Sequence, residues 1–395
     1  MTPIAEEAAK AAFATKDWDR AREYFALLAQ WRRKAGDNTG SDHVRRDAAN
    51  CYVEQAACAE SRSLEGTFLE RAVQCLRAIA GTQAEVAKLH ERLVDVEREA
   101  LKELKEHSAP IDLGENPERA RAHVTGQTMQ HAIMRMSLLW RPDPITKIRD
   151  AVLATAKQAV FFSAIPRVMM NRQGKVVAKR GSLLVGTDEE RELVLRQMMF
   201  ERAQQQRDYI IVSTILPARA QIADEHYISY RDLMPFTQAS AFVPFGREEP
   251  FAVGLAAGFN GDFAGALHML MPQFETAVRT ILAQNGAITS KIDEDGIQDE
   301  RDLGWLLTCD DVERVFGEDL VFDMRGLLIE RWGSNLRNLM AHGLIEVDQM
   351  VGAASTYFWW LTLSMVVRPL IPKPVELSAP PAPAAPPNSS DDSGT

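Results

Sequence analysis

The most constraining feature of the sequence is a stretch of 19 residues without a charge, from Gln349 to Val367, which reads QMVGAASTYFWWLTLSMVV. A segment this apolar has to leave water, and a membrane-spanning helix needs about 20 mostly apolar residues. Several Ser, Thr and Gln residues dilute its apolarity, and Trp359 and Trp360 lie in mid-segment, whereas membrane tryptophans are enriched at the interfaces. The pattern favours a buried helix of a bundle, with a membrane span as the alternative. We therefore expect no membrane partner.

Residues 1–107 show helical periodicity throughout. In TQAEVAKLHERLVDVEREALKEL, for example, Val86, Leu89, Leu93 and Val96 are spaced by three and four residues. The alanine-rich helix pairs faintly resemble tetratricopeptide repeats, although their period is irregular. We predict a repeat-like helical scaffold or sensor domain in residues 1–107, which binds a protein partner.

The remaining chain suggests three further regions and a tail. Residues 108–123 contain two prolines and a glycine and are predicted to form a linker. Residues 124–260 form a central, mostly helical region with one short hairpin around Gln173 and Gly174. Residues 261–370 form a helical bundle, and the Pro/Ala/Ser-rich residues 371–395 are predicted to be disordered. The predicted fold class is mostly α.

Composition restricts the classes of function. The 395-residue chain has a net charge of −10, so no global positive field attracts nucleic acid, and an RNA site would have to be local. The four cysteines show no metal-ligand spacing and are expected to be free thiols in a reducing cytoplasm. No P-loop, zinc spacing or paired-carboxylate motif is found, so no cofactor and no metal are expected.

The bundle is predicted from four helical patterns. One of them, Asp262 to Gly286, places Glu275 and Arg279 four residues apart, which is typical of a structural ion pair. His268 lies on the apolar face of this helix and is expected in the core. The next pattern ends near Glu330, and the last helix is expected to extend from Glu346 to Val367.

Between these helices lies the segment NLRNLMAHG, residues 335–343, whose polar residues exceed what a short helix requires. Gly333 is expected to break the preceding helix, and Ser334 or Asn335, of which Asn335 is preferred, to cap the next one. Gly343 fits the position after the helix, where φ is positive. Arg337, Asn338 and His342 are left without a structural task.

These three residue types suit RNA cleavage without a metal. The reaction needs a base for the ribose 2′-hydroxyl, an acid for the leaving oxygen and a cation for the phosphorane charge. His342 is the candidate base or acid, Arg337 can donate two hydrogen bonds to phosphate oxygens, and Asn338 can orient the histidine. Arg331 and Asn335 are candidate substrate contacts. The simpler alternative is that His342 only interacts with the last carbonyls of its helix.

The segments FVPFGREEPFAVGL, ALHMLMPQFETAVR and GSNLRNLMAHGLI resemble the C-terminal domain of a bacterial family assigned to the HEPN superfamily (higher eukaryotes and prokaryotes nucleotide-binding). The resemblance covers about residues 230–367. It implies an all-helical bundle, a homodimer formed through that bundle, and a metal-independent endoribonuclease in bacterial defence or stress response. It places the catalytic groups at Arg337, Asn338 and His342. Some members only bind or dimerise, so a non-catalytic interaction module is the alternative.

One geometric conflict remains within the motif. On a regular helix Arg337 and His342 would point about 140° apart, at about 100° per residue. Either the helix ends at His342, which frees its ring, or the site forms across a two-fold axis from two chains.

Overall fold

A computed structural model describes residues 2–103, 110–160 and 165–372 of the chain. The described chain is mostly helical, with small two-stranded sheets, which confirms the predicted mostly α fold. It divides into two compact units, one formed by Met1–Ala109 with Arg167–Lys179 and the other by Pro110–Pro166 with Arg180–Thr395. The predicted disordered tail lies outside the described residues from position 373 onward.

The helices of the first unit follow one another through short turns, and each packs on the next. They are α1 (Thr2–Ala14), α2 (Trp18–Lys34), α3 (Asn38–Ala57), α4 (Arg62–Arg77) and α5 (Gln83–Glu103). The side chains of Asp17, Asp37 and Ser61 accept a backbone N–H at the starts of α2, α3 and α4, where a helix leaves its first donors open. The apolar faces meet in small clusters that bury Leu28 and Leu69. The helical interpretation of this part is confirmed.

The predicted hairpin is also confirmed. Strands β1 (Arg167–Met170) and β2 (Val176–Arg180) pair with each other, and Gly174 takes the positive φ of +85° that the turn requires. The Asn171 side chain accepts the N–H groups of Gln173 and Lys175, which closes the turn.

The second unit contains the remaining helices of the described chain. They are α6 (Asn116–Val124), α7 (Met129–Leu138), α8 (Ile145–Gln158), α9 (Asp188–Ile210), α10 (Leu216–Glu225), α11 (Tyr230–Ala239), α12 (Glu248–Phe259), α13 (Phe263–Gln284), α14 (Leu303–Leu306), α15 (Val312–Phe316), α16 (Glu318–Leu328), α17 (Leu336–Ala341), α18 (Val347–Met350) and α19 (Ala353–Val367), followed by a 3₁₀ turn (Arg368–Leu370). A π-helical turn, Ile211–Ile215, joins α9 to α10. Pro217 has no N–H for the Ser213 carbonyl four residues earlier, which is a local reason for the wider turn.

Helix α19 lies at the centre of this unit and corresponds to the charge-free stretch. Trp359 and Trp360 are fully buried and donate to the carbonyls of Leu255 and Met136, both at 2.9 Å. The hydroxyl of Thr362 donates within the helix, to the Phe358 carbonyl at 2.8 Å. The polar atoms of this segment are therefore satisfied inside the protein, as a core helix requires.

The same stretch passes a length and composition test for a membrane span. Within the described residues, Val347–Leu370 is long and apolar enough to cross a membrane, and 67% of an apolar stretch of 18 residues within it is buried inside the protein. Core helices pass this test as well. The predicted continuous helix from Glu346 to Val367 is wrong in detail, because Gly352, in extended conformation, separates α18 from α19.

Two predicted boundaries differ from the structure. The expected linker at residues 108–123 contains α6, which buries Ala120 and Val124 in the core of the second unit. Pro117 suggests a linker in the sequence, but it lies in the first turn of α6, where proline is well tolerated. The helices of the predicted central region share one core with the bundle and do not form a separate domain, while Arg167–Lys179, which carries the hairpin, belongs to the first unit. Residues 108 and 109 lie outside the described chain.

A second hairpin was missed. Strands β3 (Ser290–Ile292) and β4 (Gln298–Glu300) pair antiparallel, with Lys291 opposite Asp299. The strands are polar and exposed, so they lack the apolar alternation that identifies a strand.

The helix that was predicted to end near Glu330 is also wrong in detail. The segment is divided into α14, α15 and α16, with Gly317 at φ +80° between the last two.

Candidate functional site

The segment that carries the motif begins at a close approach of two backbones. A Cβ on Gly333 would lie 1.8 Å from the carbonyl oxygen of Gly326 on α16, so no larger residue fits without displacement. The Ser334 N–H donates to the same carbonyl at 2.8 Å. Gly333 was expected to end the preceding helix, which already ends at Leu328. Its task is to hold the turn against α16.

Helix α17 has unusual ends. Asn335 occupies the N-cap position but is left-handed, with φ +47° and ψ +29°, and its side chain does not cap the helix. Asparagine tolerates this region better than most residues. At the other end His342 is the C-cap, and Gly343 follows with φ +64°, which confirms the predicted role of Gly343. Asn335 therefore has the predicted position without the predicted hydrogen bond.

Arg337 is not free on the surface but belongs to a chain of ion pairs. Its Nη2 lies 3.6 Å from Glu275 on α13, and both side chains are about one-fifth exposed, at 18% and 21%. Glu275 also accepts from Arg279 at 2.9 Å, which confirms the predicted i, i+4 pair. Arg279 in turn contacts Glu300 at 3.3 Å and donates to the Arg301 carbonyl at 2.8 Å. A carboxylate thus already partly neutralises the guanidinium of Arg337.

Asn338 is turned toward the protein. Its Nδ2 donates to Asn335 Oδ1 at 2.8 Å and lies 3.4 Å from the Ile329 carbonyl oxygen, while its Oδ1 accepts from Arg337 Nη1 at 3.3 Å. The expectation that this side chain orients His342 is therefore not met. Instead, the amide connects the left-handed turn to the arginine.

His342 stands on the exposed surface at the end of α17. Its backbone N–H donates to the Asn338 carbonyl at 3.1 Å, while within the described chain its ring makes no hydrogen bond. Arg331 is also exposed.

The prediction for His268 was wrong. This residue was expected in the core but is exposed, and its Nδ1 lies 2.8 Å from the Ala264 carbonyl oxygen. The helical register that placed it on an apolar face did not decide its burial.

The arrangement can therefore present a histidine to solvent near a partly neutralised arginine. Within one chain the two side chains share no hydrogen bond in the part that the structure describes. Cavities of about 840, 400 and 480 Å³ lie elsewhere and are not lined by Arg337, Asn338 or His342. In residues 2–103, 110–160 and 165–372, no group of three His, Cys, Asp or Glu residues is placed to hold a metal ion.

A buried polar cluster beneath the motif was not predicted. Arg207 on α9 donates to Asp323 on α16 at 2.9 Å, and Tyr357 on α19 donates to the other carboxylate oxygen at 2.8 Å. Burial, reinforced by the Asp323 charge, raises the pKa of Tyr357 well above its ordinary value, so it stays a donor. A Cβ on Gly326 would lie 3.4 Å from the Arg207 guanidinium, so this cluster adjoins the glycine contact that holds the turn. In the sequence these residues are only isolated polar positions within helices, and nothing in their spacing indicates that they meet.

No protein-family model, no curated protein and no solved structure matches this chain.

Proposed function

We propose that this protein is a metal-independent endoribonuclease of the HEPN type, acting as a homodimer through its second unit in the cytoplasm of a bacterium, in defence or stress response. The observation that carries the proposal is the placement of an exposed histidine at the C-cap of a helix whose first residues supply Arg337 and Asn338. Residues 1–107 would act as the sensor or regulator that binds a protein partner.

In this function His342 exchanges the proton of the ribose 2′-hydroxyl or of the leaving oxygen, for which an imidazole is suited near neutral pH. Arg337 stabilises the phosphorane charge with paired N–H groups. The products carry 2′,3′-cyclic phosphate ends. Asn338 holds Arg337 and the Asn335 turn in place, which replaces its predicted task on His342.

A site built from two chains agrees best with the geometry. His342 and Arg337 share no hydrogen bond within the described part of one chain, and three exposed apolar residues follow the histidine. Leu344, Val347 and Val351 are 63%, 76% and 53% exposed. An apolar strip in water favours association, so it supports a two-fold contact that brings the motifs of two chains together.

The proposal is tested with purified protein and a mixed RNA substrate. Wild type is expected to produce 2′,3′-cyclic ends without added metal and in the presence of a chelator, while His342→Ala loses at least about a hundredfold in rate, as expected for loss of a general acid or base. His268→Ala is the matched control, because it removes another exposed histidine of the same unit. Equal products from wild type and His342→Ala would refute the catalytic role.

A mixing experiment tests the two-chain site. Arg337→Ala and His342→Ala chains are each expected to be inactive, but a mixed dimer would contain one intact pair if the site takes one residue from each chain. Activity that reappears on mixing supports this arrangement. No recovery, while the dimers are shown to exchange subunits, would place the site within one chain.

A second candidate is a non-catalytic interaction module. It is favoured by the internal bonding of Arg337 to Glu275 and of Asn338 to Asn335, which gives both residues a structural task. This function predicts that Arg337→Ala weakens folding or assembly, and that His342→Ala leaves RNA and growth unchanged when the protein is expressed in cells.

A further inference from the structure

The second unit contains an apolar cavity that lies apart from the motif. It has a volume of about 480 Å³, which lies within the range of about 300–1,000 Å³ typical of small-molecule sites. Phe242, Phe316, Leu320 and Leu361 line its apolar walls, and the fully buried Trp360 lies at its inner side. Such a cavity suits a compact hydrocarbon or aromatic body.

The charged lining of this cavity has one sign. Its lining residues include Arg368 but no Asp and no Glu, although the whole chain has a net charge of −10. The nearby charge of Arg141 adds to the positive potential at Arg368. Within the described residues no carboxylate lies within 4 Å of Arg368. The cavity is therefore complementary to a single negative charge.

Arg368 is held in a fixed position. Its Nε donates to the Ser137 carbonyl at 2.7 Å, its Nη2 donates to the Trp140 carbonyl, and its guanidinium lies 5.5 Å from the centre of the Trp360 ring. The Nη1 group keeps two N–H donors without an acceptor among the described residues. The side chain is half-buried, and burial is the main cause that lowers the pKa of Arg368 to about 10, so part of the cost of burying its charge is not offset by its two carbonyl partners. An anion would relieve that cost.

We propose that this cavity binds a small monoanionic amphiphile, a medium-chain carboxylic acid, with its carboxylate on Arg368 and its hydrocarbon body against Phe242, Leu320 and Leu361. A single arginine balances the single charge of a carboxylate. This site is distinct from the motif and does not depend on the ribonuclease function.

Decanoate is the probe, and 1-decanol is the uncharged comparison with the same chain length. Isothermal titration of the full-length protein, below the micelle concentration, is expected to show one decanoate per chain, bound at least ten times more tightly than 1-decanol. Equal affinity for the two, or no binding of decanoate, would overturn the assignment.

Two variants locate the site. Arg368→Gln should lower the affinity for decanoate at least tenfold, to that for 1-decanol, and leave the affinity for 1-decanol unchanged. Ala241→Trp adds bulk at an exposed lining position, leaves the bonds of Arg368 intact and should abolish binding of both probes. If Arg368→Gln does not fold, the decision rests on Ala241→Trp and the wild-type contrast. Wild-type binding in a folded Ala241→Trp protein would refute the cavity as the site.

Discussion

Two arginine–carboxylate pairs of the second unit use the same chemistry in different surroundings. Arg207 and Asp323 are 2.9 Å apart, and their side chains are only 2% and 4% exposed. Arg337 and Glu275 are 3.6 Å apart, and their side chains are 18% and 21% exposed. Tyr357 completes the first pair, whereas the second is part of a chain that reaches the surface.

The difference separates a structural pair from an exchangeable one. Breaking a buried pair leaves a charge without solvent, which is strongly unfavourable. A partly exposed arginine can exchange a carboxylate for a phosphate at little cost, because water and counterions assist. The buried pair therefore supports the fold, whereas the outer pair holds Arg337 in place and leaves it able to exchange its partner.

The largest effect is expected from the buried pair. Asp323→Ala leaves Arg207 unpaired and Tyr357 without its acceptor, so the free energy of unfolding should fall by about 3–5 kcal/mol. Urea denaturation measures it. The control is Glu192→Ala, which breaks the exposed pair with Arg149 and should cost about 0–1 kcal/mol. Similar losses in both variants would show that burial does not distinguish the pairs.

A smaller loss of stability is expected at the contact between the turn before α17 and helix α16. Gly333→Ala forces a Cβ against the Gly326 carbonyl and should cost about 1–3 kcal/mol while displacing the turn before α17. Gly304→Ala is the control, because its Cβ would meet only the Asp302 side chain, at 3.3 Å, and stability should change by no more than about 0.5 kcal/mol. Urea denaturation compares the two, and an unchanged Gly333→Ala protein would contradict the proposed contact.

A mild effect is expected at the outer pair. Glu275→Gln removes the carboxylate from Arg337 and should cost about 1 kcal/mol, since the pair is partly exposed. If Arg337 contacts phosphate, RNA affinity at low salt should rise a few-fold, because one repelling charge is lost. Fluorescence anisotropy with labelled RNA measures the change, and Glu192→Gln is the charge-matched control. An equal rise in both variants would assign the effect to net charge alone.

The smallest effect concerns Asp208, beside Arg207. Burial raises the pKa of Asp208 above its ordinary value, although the Arg207 charge opposes the shift. The folded state therefore holds this proton more tightly than the unfolded state. The stabilisation that the bound proton gives to the folded state is lost as the pH rises through the folded pKa. Asp208→Asn should be more stable than wild type at pH 7, and the difference should shrink as the pH falls. A difference independent of pH would contradict this cause.

The local features of the fold were predictable. The predicted helix from Asp262 to Gly286 corresponds to Phe263–Gln284, because its apolar face and the Asp262 cap are encoded within the segment. The hairpin around Gly174 was predicted because its strand pattern and its turn glycine are also encoded within one short segment. The hairpin after Ala287 was not, since its strands carry mostly polar side chains and are exposed.

The candidate site was predictable only in part. The spacing of Glu275 and Arg279 indicated their ion pair, but nothing in the spacing connected Glu275 to Arg337, which lies on another helix. Asn338 was expected to serve His342, and the fold directs it to Asn335 instead. Contacts between distant segments leave no periodic signal.

The sequence by itself determined most of the helices, the left-handed glycine after α17 and the need to bury the charge-free stretch around Trp359. These follow from steric limits, hydrogen bonds and solvation that act over a few residues. Only the tertiary structure decided that Arg207 meets Asp323, 116 positions away, that Arg337 shares Glu275 with Arg279, and that His342 stays exposed. Packing sets the distances between remote charges and their access to water, and these two quantities determine what each charged group can do.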